Sequence, residues 1–209
     1  MRYAVKKKVA ILALSLFLPS MAFAATDMYR TGSMIFHFAA GTSMPGFIHF
    51  FGDAEGLDSN YWLWGEDDHA TKLNWGGYFS LGFERFTSST LSLGGELGYD
   101  FNYCVNDDLF TAVPLQFKLT WYPVQGTVDL PVSLGVGTVY ERFGEDKSML
   151  NLSLSLDVGM NFYIWEHWGV GIHSGLWLIP EFNYNSGDQE NDGVLGLVPI
   201  TLSVSYRNL

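Results

Sequence analysis

Between Leu150 and Trp165 the chain alternates apolar and polar positions almost without interruption. Leu150, Leu152, Leu154, Leu156, Val158, Met160, Phe162 and Ile164 fall on one side. Asn151, Ser153, Ser155, Asp157, Gly159, Asn161 and Tyr163 fall on the other. A period of two marks a strand with one apolar and one polar face. The run far exceeds the roughly 5–6 residues of an ordinary strand, so its apolar side needs an extended apolar medium.

The same pattern recurs along the chain. Leu73, Trp75, Phe79, Leu81 and Phe83 oppose Asn74, Tyr78, Ser80 and Glu84 within residues 72–86. Leu91, Leu93, Leu97, Tyr99, Phe101 and Tyr103 oppose Ser92, Glu96, Asp100 and Asn102. Val113, Leu115, Phe117, Leu119 and Trp121 oppose Gln116, Lys118 and Thr120. Residues 132–141, 170–184 and 198–207 repeat it, with Glu141, His173, Glu181 and Arg207 on the polar side. A less regular run over 33–42 sets Met34, Phe36, Phe38 and Ala40 against His37, which makes eight strands in all. Short connections near Thr87–Thr90, Gln125–Asp129 and Glu166–Trp168 alternate with acidic or Asn/Asp-rich ones at 43–71, 105–108, 144–148 and 185–193. In an up-and-down order, all short turns lie at one end and all variable loops at the other. That is the arrangement of a transmembrane β-barrel.

A secreted β-sandwich shares the period of two, and three features separate the alternatives. The strands are long enough for the roughly 9–11 residues that cross hydrocarbon. Among outward positions only Arg85 is ionised, beside a turn. Aromatic residues gather at strand ends: Phe86, Trp121, Tyr122, Trp165, Trp168 and Tyr206 by the short turns, with Tyr99, Phe101, Tyr103, Phe110, Tyr140, Phe143 and others towards the loops. Trp121, Tyr122, Trp165, Trp168 and Tyr206 are therefore expected at a membrane interface. The fold class predicted is all-β: an eight-stranded antiparallel up-and-down transmembrane barrel.

Charge and the first residues narrow the setting. The opening 24 residues hold Arg2, Lys6, Lys7 and Lys8, an apolar run from Val9 to Leu18, and Ala22-Phe23-Ala24. They read as a secretory signal peptide cleaved after Ala24, leaving residues 25–209 as one barrel domain. The full chain has a formal charge of −11; without those four cations the remainder has seven basic and 22 acidic residues, or −15. Such a balance excludes a generic nucleic-acid binder. Cys104 is the single cysteine, which excludes an internal disulfide and a cysteine zinc site. After residue 24 no run of about 18 apolar residues offers a transmembrane helix.

Taken together, signal segment, eight long alternating strands and turn–loop order resemble the small outer-membrane barrels of the OmpA, OmpX and OmpW type. The resemblance covers all of residues 25–209 but lies in pattern, not in a residue motif. It implies an outer-membrane location in a diderm bacterium, export through the general secretory pathway, insertion by the barrel-assembly machinery and contact with outer-membrane lipids. Barrels of this type usually end in an aromatic residue, whereas this chain ends in "SVSYRNL".

Candidate chemistry lies inside the barrel and in one loop. Eight strands leave room for side chains or one small ligand. Glu84, Glu96, Asp100, Glu141, Asp157 and Glu181 point inward with Lys118, Arg207 and His173. Buried charges must pair or be hydrated. The set reads as a network locking the lumen or, alternatively, as a narrow polar path for cations. Lys118 is the candidate partner of Asp157. Loop 43–71 carries Phe50, Phe51, Tyr61, Trp62 and Trp64 among acidic groups, a surface that could engage a host or envelope partner. Glu66, Asp67, Asp68 and His69 lack calcium-loop spacing, so no metal site is assigned, and no cofactor motif is present. Catalysis is not expected: His173 and Ser174 are adjacent and point to opposite faces, and no other nucleophile–base pair is evident. The function expected is a non-enzymatic outer-membrane barrel for envelope structure or limited diffusion of small solutes. The alternative is a surface protein acting through its loops.

Overall fold

A computed structural model describes residues 28–50, 60–62, 73–104, 108–144, 147–181 and 193–209. Ten strands follow in order: β1 (Met34–Phe50), β2 (Asn60–Trp62), β3 (Gly76–Phe86), β4 (Leu91–Tyr103), β5 (Leu109–Trp121), β6 (Val128–Asp129), β7 (Val132–Phe143), β8 (Lys147–Tyr163), β9 (Trp168–Glu181) and β10 (Gly193–Asn208). Eight of them are barrel staves, each antiparallel to its neighbours, in the order β10-β9-β8-β7-β5-β4-β3-β1. The sheet closes where β1 pairs with β10, from Met34↔Asn208 to Phe50↔Gly193. Closure gives every stave a hydrogen-bonded neighbour on both sides, which is what a β-structure in lipid requires.

The two short strands fall outside the sequence pattern. β6 folds the turn between β5 and β7 back onto Asn161 and Phe162 of β8. β2 pairs with Phe47, Ile48 and His49, continuing the line of β3 above Ser43↔Gly76. β1 is correspondingly longer than the expected run over 33–42. The connection placed at 43–71 therefore starts after Phe50, and its first eight residues are strand. Alternation hides this extension because the β1–β10 register shifts between Pro45 and Phe47. A bulge of this kind moves later side chains to the other face.

The outer surface is the apolar belt that alternation implies. Phe36, Phe38, Leu81, Phe83, Leu93, Leu97, Leu115, Phe117, Leu134, Val136, Leu150, Leu156 and Leu202 are all exposed, Phe117 to 78%. A contiguous apolar surface of this size does not persist in water. At the turn end Trp121, Trp165 and Trp168 are exposed, and Trp168 meets Tyr206 edge-on at 5.1 Å. At the loop end Trp75, Tyr99, Tyr103 and Tyr140 are exposed.

Tyr122 is a correction: it is 2% exposed and points into the barrel. Phe86 and Phe110 are likewise interior, and Phe143 packs against the inner core. Tyr122 shares the parity of Lys118 and Thr120, so the strand turns it inward however near the turn lies. Leu73, expected outside, is interior too. It sits in an isolated bridge to Cys104, ahead of the start of β3 at Gly76, so the alternation of β3 does not govern it.

Candidate functional site

The barrel interior is filled in three layers. Midway down lies a charged network built on inward positions of neighbouring staves. Lys118 Nζ of β5 stands 2.8 Å from Glu96 Oε1 of β4 and 2.9 Å from Asp157 Oδ2 of β8. His37 Nε2 of β1 meets Glu96 Oε2 at 3.1 Å, and the Tyr78 hydroxyl donates to Glu96 Oε1 at 3.1 Å. From Asp157 the chain of bonds continues through the Ser155 hydroxyl, which stands 3.0 Å from both Asp157 Oδ2 and Gln116 Oε1 and donates its one proton to either. The Gln116 amide and the Trp177 indole each donate to Ser153 Oγ at 2.6 Å. Every charge in this layer thus has an opposite charge or a donor within hydrogen-bond reach.

Glycine makes part of this layer possible. Gly82 lies between His37 and Glu96 across the sheet, and a Cβ there would collide with the His37 ring. With no side chain in the way, the imidazole lies across the strand to reach the carboxylate. Gly82→Ala is expected to push the ring off Glu96 and to lower stability by about 1–3 kcal/mol. Urea unfolding in lipid vesicles, compared with His37→Ala, checks it: the double variant should cost little more than either alone.

The loop-end layer is built around an apolar cluster. Tyr78, Phe110, Ala112, Val139, Trp177, Ile179, Leu195 and Leu197 form one cluster with Leu73. Tyr78 and Trp177 pack edge-on, with ring centroids 6.2 Å apart. Asp100, Glu141 and Glu181 occupy this end. Asn151 Nδ2 donates to Glu141 Oε2 at 2.6 Å.

At the turn end the chain preceding β1 enters the barrel mouth. Tyr29 is 1% exposed and stacks on Phe86 with ring centroids 4.1 Å apart, while Tyr122 closes the other side at 5.6 Å. The backbone amides of Met28 and Tyr29 donate to Gln125 Oε1. The Tyr29 hydroxyl donates to Asp129. Burial, then the neighbouring Tyr163 and Asp129, push the Tyr29 phenol well up, so it remains a donor across the ordinary pH range. Arg207 lies beneath, its guanidinium 3.6 Å from the Tyr163 ring centre. It donates to the carbonyls of Glu166 at 2.7 Å and Gly126 at 2.8 Å, and stands 3.7 Å from Asp129. Glu84 accepts from Ser92 at 2.5 Å and from Tyr122 at 3.0 Å.

The inward positions named from sequence therefore separate into groups. Glu96, Lys118 and Asp157 come together with His37. Glu84 and Arg207 belong to the turn end, and Asp100, Glu141 and Glu181 to the loop end. His173 bonds to Asn161 at 2.9 Å. Of the loop aromatics, Phe50 ends β1 and Tyr61 and Trp62 lie on β2, while Phe51 and Trp64 lie outside the described residues, as do Glu66–His69 and the signal segment. Tyr29 and Asp129 were not among the sequence candidates; Phe86 was expected among the aromatics bordering the short turns, and Tyr163 lies inward as the alternation over 150–165 implies. Parity could have found Phe86, which shares the face of Glu84; Tyr29 precedes any pattern. Between the charged layer and the turn-end plug remains a cavity of about 60 Å³, lined by His37, Glu84, Lys118, Asp157, Asn161 and Ser203 among others. It has room for a few water molecules.

Solved structures of similar fold are small outer-membrane barrels. Neisserial surface protein A aligns with a TM-score of 0.57 and 10% identity, covering 84% of this chain and 97% of that one. OprG, an outer membrane protein from Pseudomonas aeruginosa, aligns with a TM-score of 0.50 and 11% identity over 87% of this chain and 98% of its own. At such identities the likeness is one of fold. In sequence, an uncharacterized protein of Treponema pallidum (strain Nichols) is 25% identical over 136 residues, 65% of this chain; the match spans 60% of that relative's length. The model of an uncharacterized family matches residues 19–206, and the chain belongs to that family.

Proposed function

We propose that this protein is a non-enzymatic outer-membrane barrel with a closed lumen, which serves the envelope as a structural element and a carrier of surface loops. The observation that carries the reading is the closure of the interior at both ends, by Tyr29, Phe86 and Tyr122 below and by the Phe110–Trp177–Leu197 cluster above. Filling of this kind among the described residues argues against a continuous water path through eight strands. The acidic excess inside, which would favour cations in an open pore, is partly committed to Lys118, His37 and Arg207. Export by way of a leader cut after Ala24, insertion by the barrel-assembly machinery and residence among outer-membrane lipids belong to the same reading.

Planar-bilayer recordings test it. The refolded protein is expected to give no steady conductance. Stepwise currents whose cation preference falls in Asp157→Asn would overturn the closed lumen in favour of limited solute diffusion.

One observation supports a surface-binding role beside the structural one. β1 and β10 stay paired up to Phe50↔Gly193, and β2 lies against the tip of β1, so this wall extends past the end of β3 at Gly76. It places Phe50 at the tip of β1, and Tyr61 and Trp62 on β2, beyond the end of β3. Deleting residues 51–59 is expected to leave barrel folding intact while abolishing capture of a host or envelope partner.

A further inference from the structure

At the loop end a group of buried side-chain oxygen atoms has no hydrogen-bond partner among the described residues. Asp100 and Asn102 stand two residues apart on the inward face of β4, and Ser43 of β1 pairs with Gly76 of β3. All three side chains are fully buried. A Cβ at Gly76 would meet the Phe101 carbonyl and Asn102 Cα, so the missing side chain lets Asn102 lie across β3 towards β1. Asn102 Nδ2 donates to the carbonyls of Ser43 at 3.1 Å and Asn74 at 2.9 Å. Those two bonds fix the amide and leave its Oδ1 as an acceptor only. Asn102 Oδ1, both Asp100 carboxylate oxygens and Ser43 Oγ have no hydrogen-bond partner among the described residues. Ser43 Oγ stands beside the Asp100 carboxyl without meeting hydrogen-bond geometry.

Among the described residues the surroundings offer no compensating cation. Asp100 lies between Tyr78 and Ala112 in the sheet, and the Tyr78 hydroxyl is committed to Glu96. Lys118 is held by Glu96 and Asp157 a layer below, and Arg207 is at the opposite end of the barrel. A buried carboxylate beside an amide oxygen, with no cation near it and only the poorly aligned Ser43 hydroxyl as a donor, is unfavourable unless something positive joins them. Carboxylate, amide carbonyl and hydroxyl are all hard oxygen ligands, the type that Ca²⁺ collects in irregular shells completed by water.

We propose that Asp100, Asn102 and Ser43 hold a hard divalent cation of the Ca²⁺ type inside the loop end of the barrel, where it ties β1 to β4 across Gly76. The site is independent of whether the lumen conducts. It is preformed by strand register.

Thermal melting of the refolded full chain in detergent tests it, with Ca²⁺ or with EGTA. The wild type is expected to melt higher in Ca²⁺. Asp100→Asn should lose this difference and, in EGTA, melt at or above the wild type, because an uncompensated buried charge has gone. A combined Glu66→Gln, Asp67→Asn, Asp68→Asn chain should keep the wild-type response. Equal melting of the wild type in Ca²⁺ and EGTA would overturn the site, since water or a proton would then satisfy Asp100. So would a Ca²⁺ response that survives Asp100→Asn or disappears in the loop variant. Should Asp100→Asn fail to fold, Asn102→Ala takes the same test: loss of the Ca²⁺ response supports the site and retention overturns it.

Discussion

Replacing Lys118 with Met is expected to be the most damaging single change inside the barrel, lowering stability by about 3–5 kcal/mol. The lysine stands within 2.9 Å of both Asp157 and Glu96, and its side chain is only 8% exposed. Without it two carboxylates face one another beside a cavity with room for only a few water molecules, with His37 left to compensate for Glu96 alone. The loss comes from the stranded charges more than from the missing attraction, because a buried pair replaced as a unit is often neutral. A chain carrying Lys118→Met, Glu96→Gln and Asp157→Asn together should therefore regain most of the stability. Urea midpoints in lipid vesicles read both effects. A triple variant as unstable as the single one would show that Lys118 acts through packing.

Outside the barrel the largest expected effect is that of Phe117→Arg. Phe117 is the most exposed apolar side chain of the belt and pairs with Gly95 and Val136 in the middle of β5. An arginine at the bilayer midplane costs about 2–4 kcal/mol, and near the interfaces about 0–1. Trp121→Arg, at the turn end of the same strand, should therefore be much the milder of the two. A soluble protein would show little difference between these surface positions.

Most of the fold can be read from parity alone, since a strand with lipid on one side and a packed lumen on the other enforces the period of two. That is why Leu150–Ile164, the eight staves and the inward set around Lys118 and Asp157 follow from the chain. The failures lie where parity is interrupted or set aside. Tyr122 and Phe86 look like interface aromatics by nearness to a turn, but strand geometry turns both inward. The tip of β1 is concealed by the bulge at Pro45–Phe47. Tyr29 belongs to no periodic run, and its place in the turn-end mouth follows from contacts with Phe86, Gln125 and Asp129, which lie far away in sequence. The three-layer filling of the lumen was equally beyond reach, because inward parity says which side chains share the interior and not at what height they meet.

The alternation along β8 is the feature on which the whole account rests, and a spin-label scan tests it most directly. In a Cys104→Ser background, single cysteines are placed from Leu150 to Ile164, labelled with a nitroxide, and the barrel is reconstituted in lipid. Labels at Leu152, Leu154, Leu156, Val158, Met160 and Phe162 are expected to be accessible to oxygen dissolved in the bilayer and shielded from a water-soluble relaxing agent. Labels at Ser153, Ser155, Asp157 and Asn161 should be shielded from oxygen. Equal access to the aqueous agent at even and odd positions would contradict a strand that crosses a membrane.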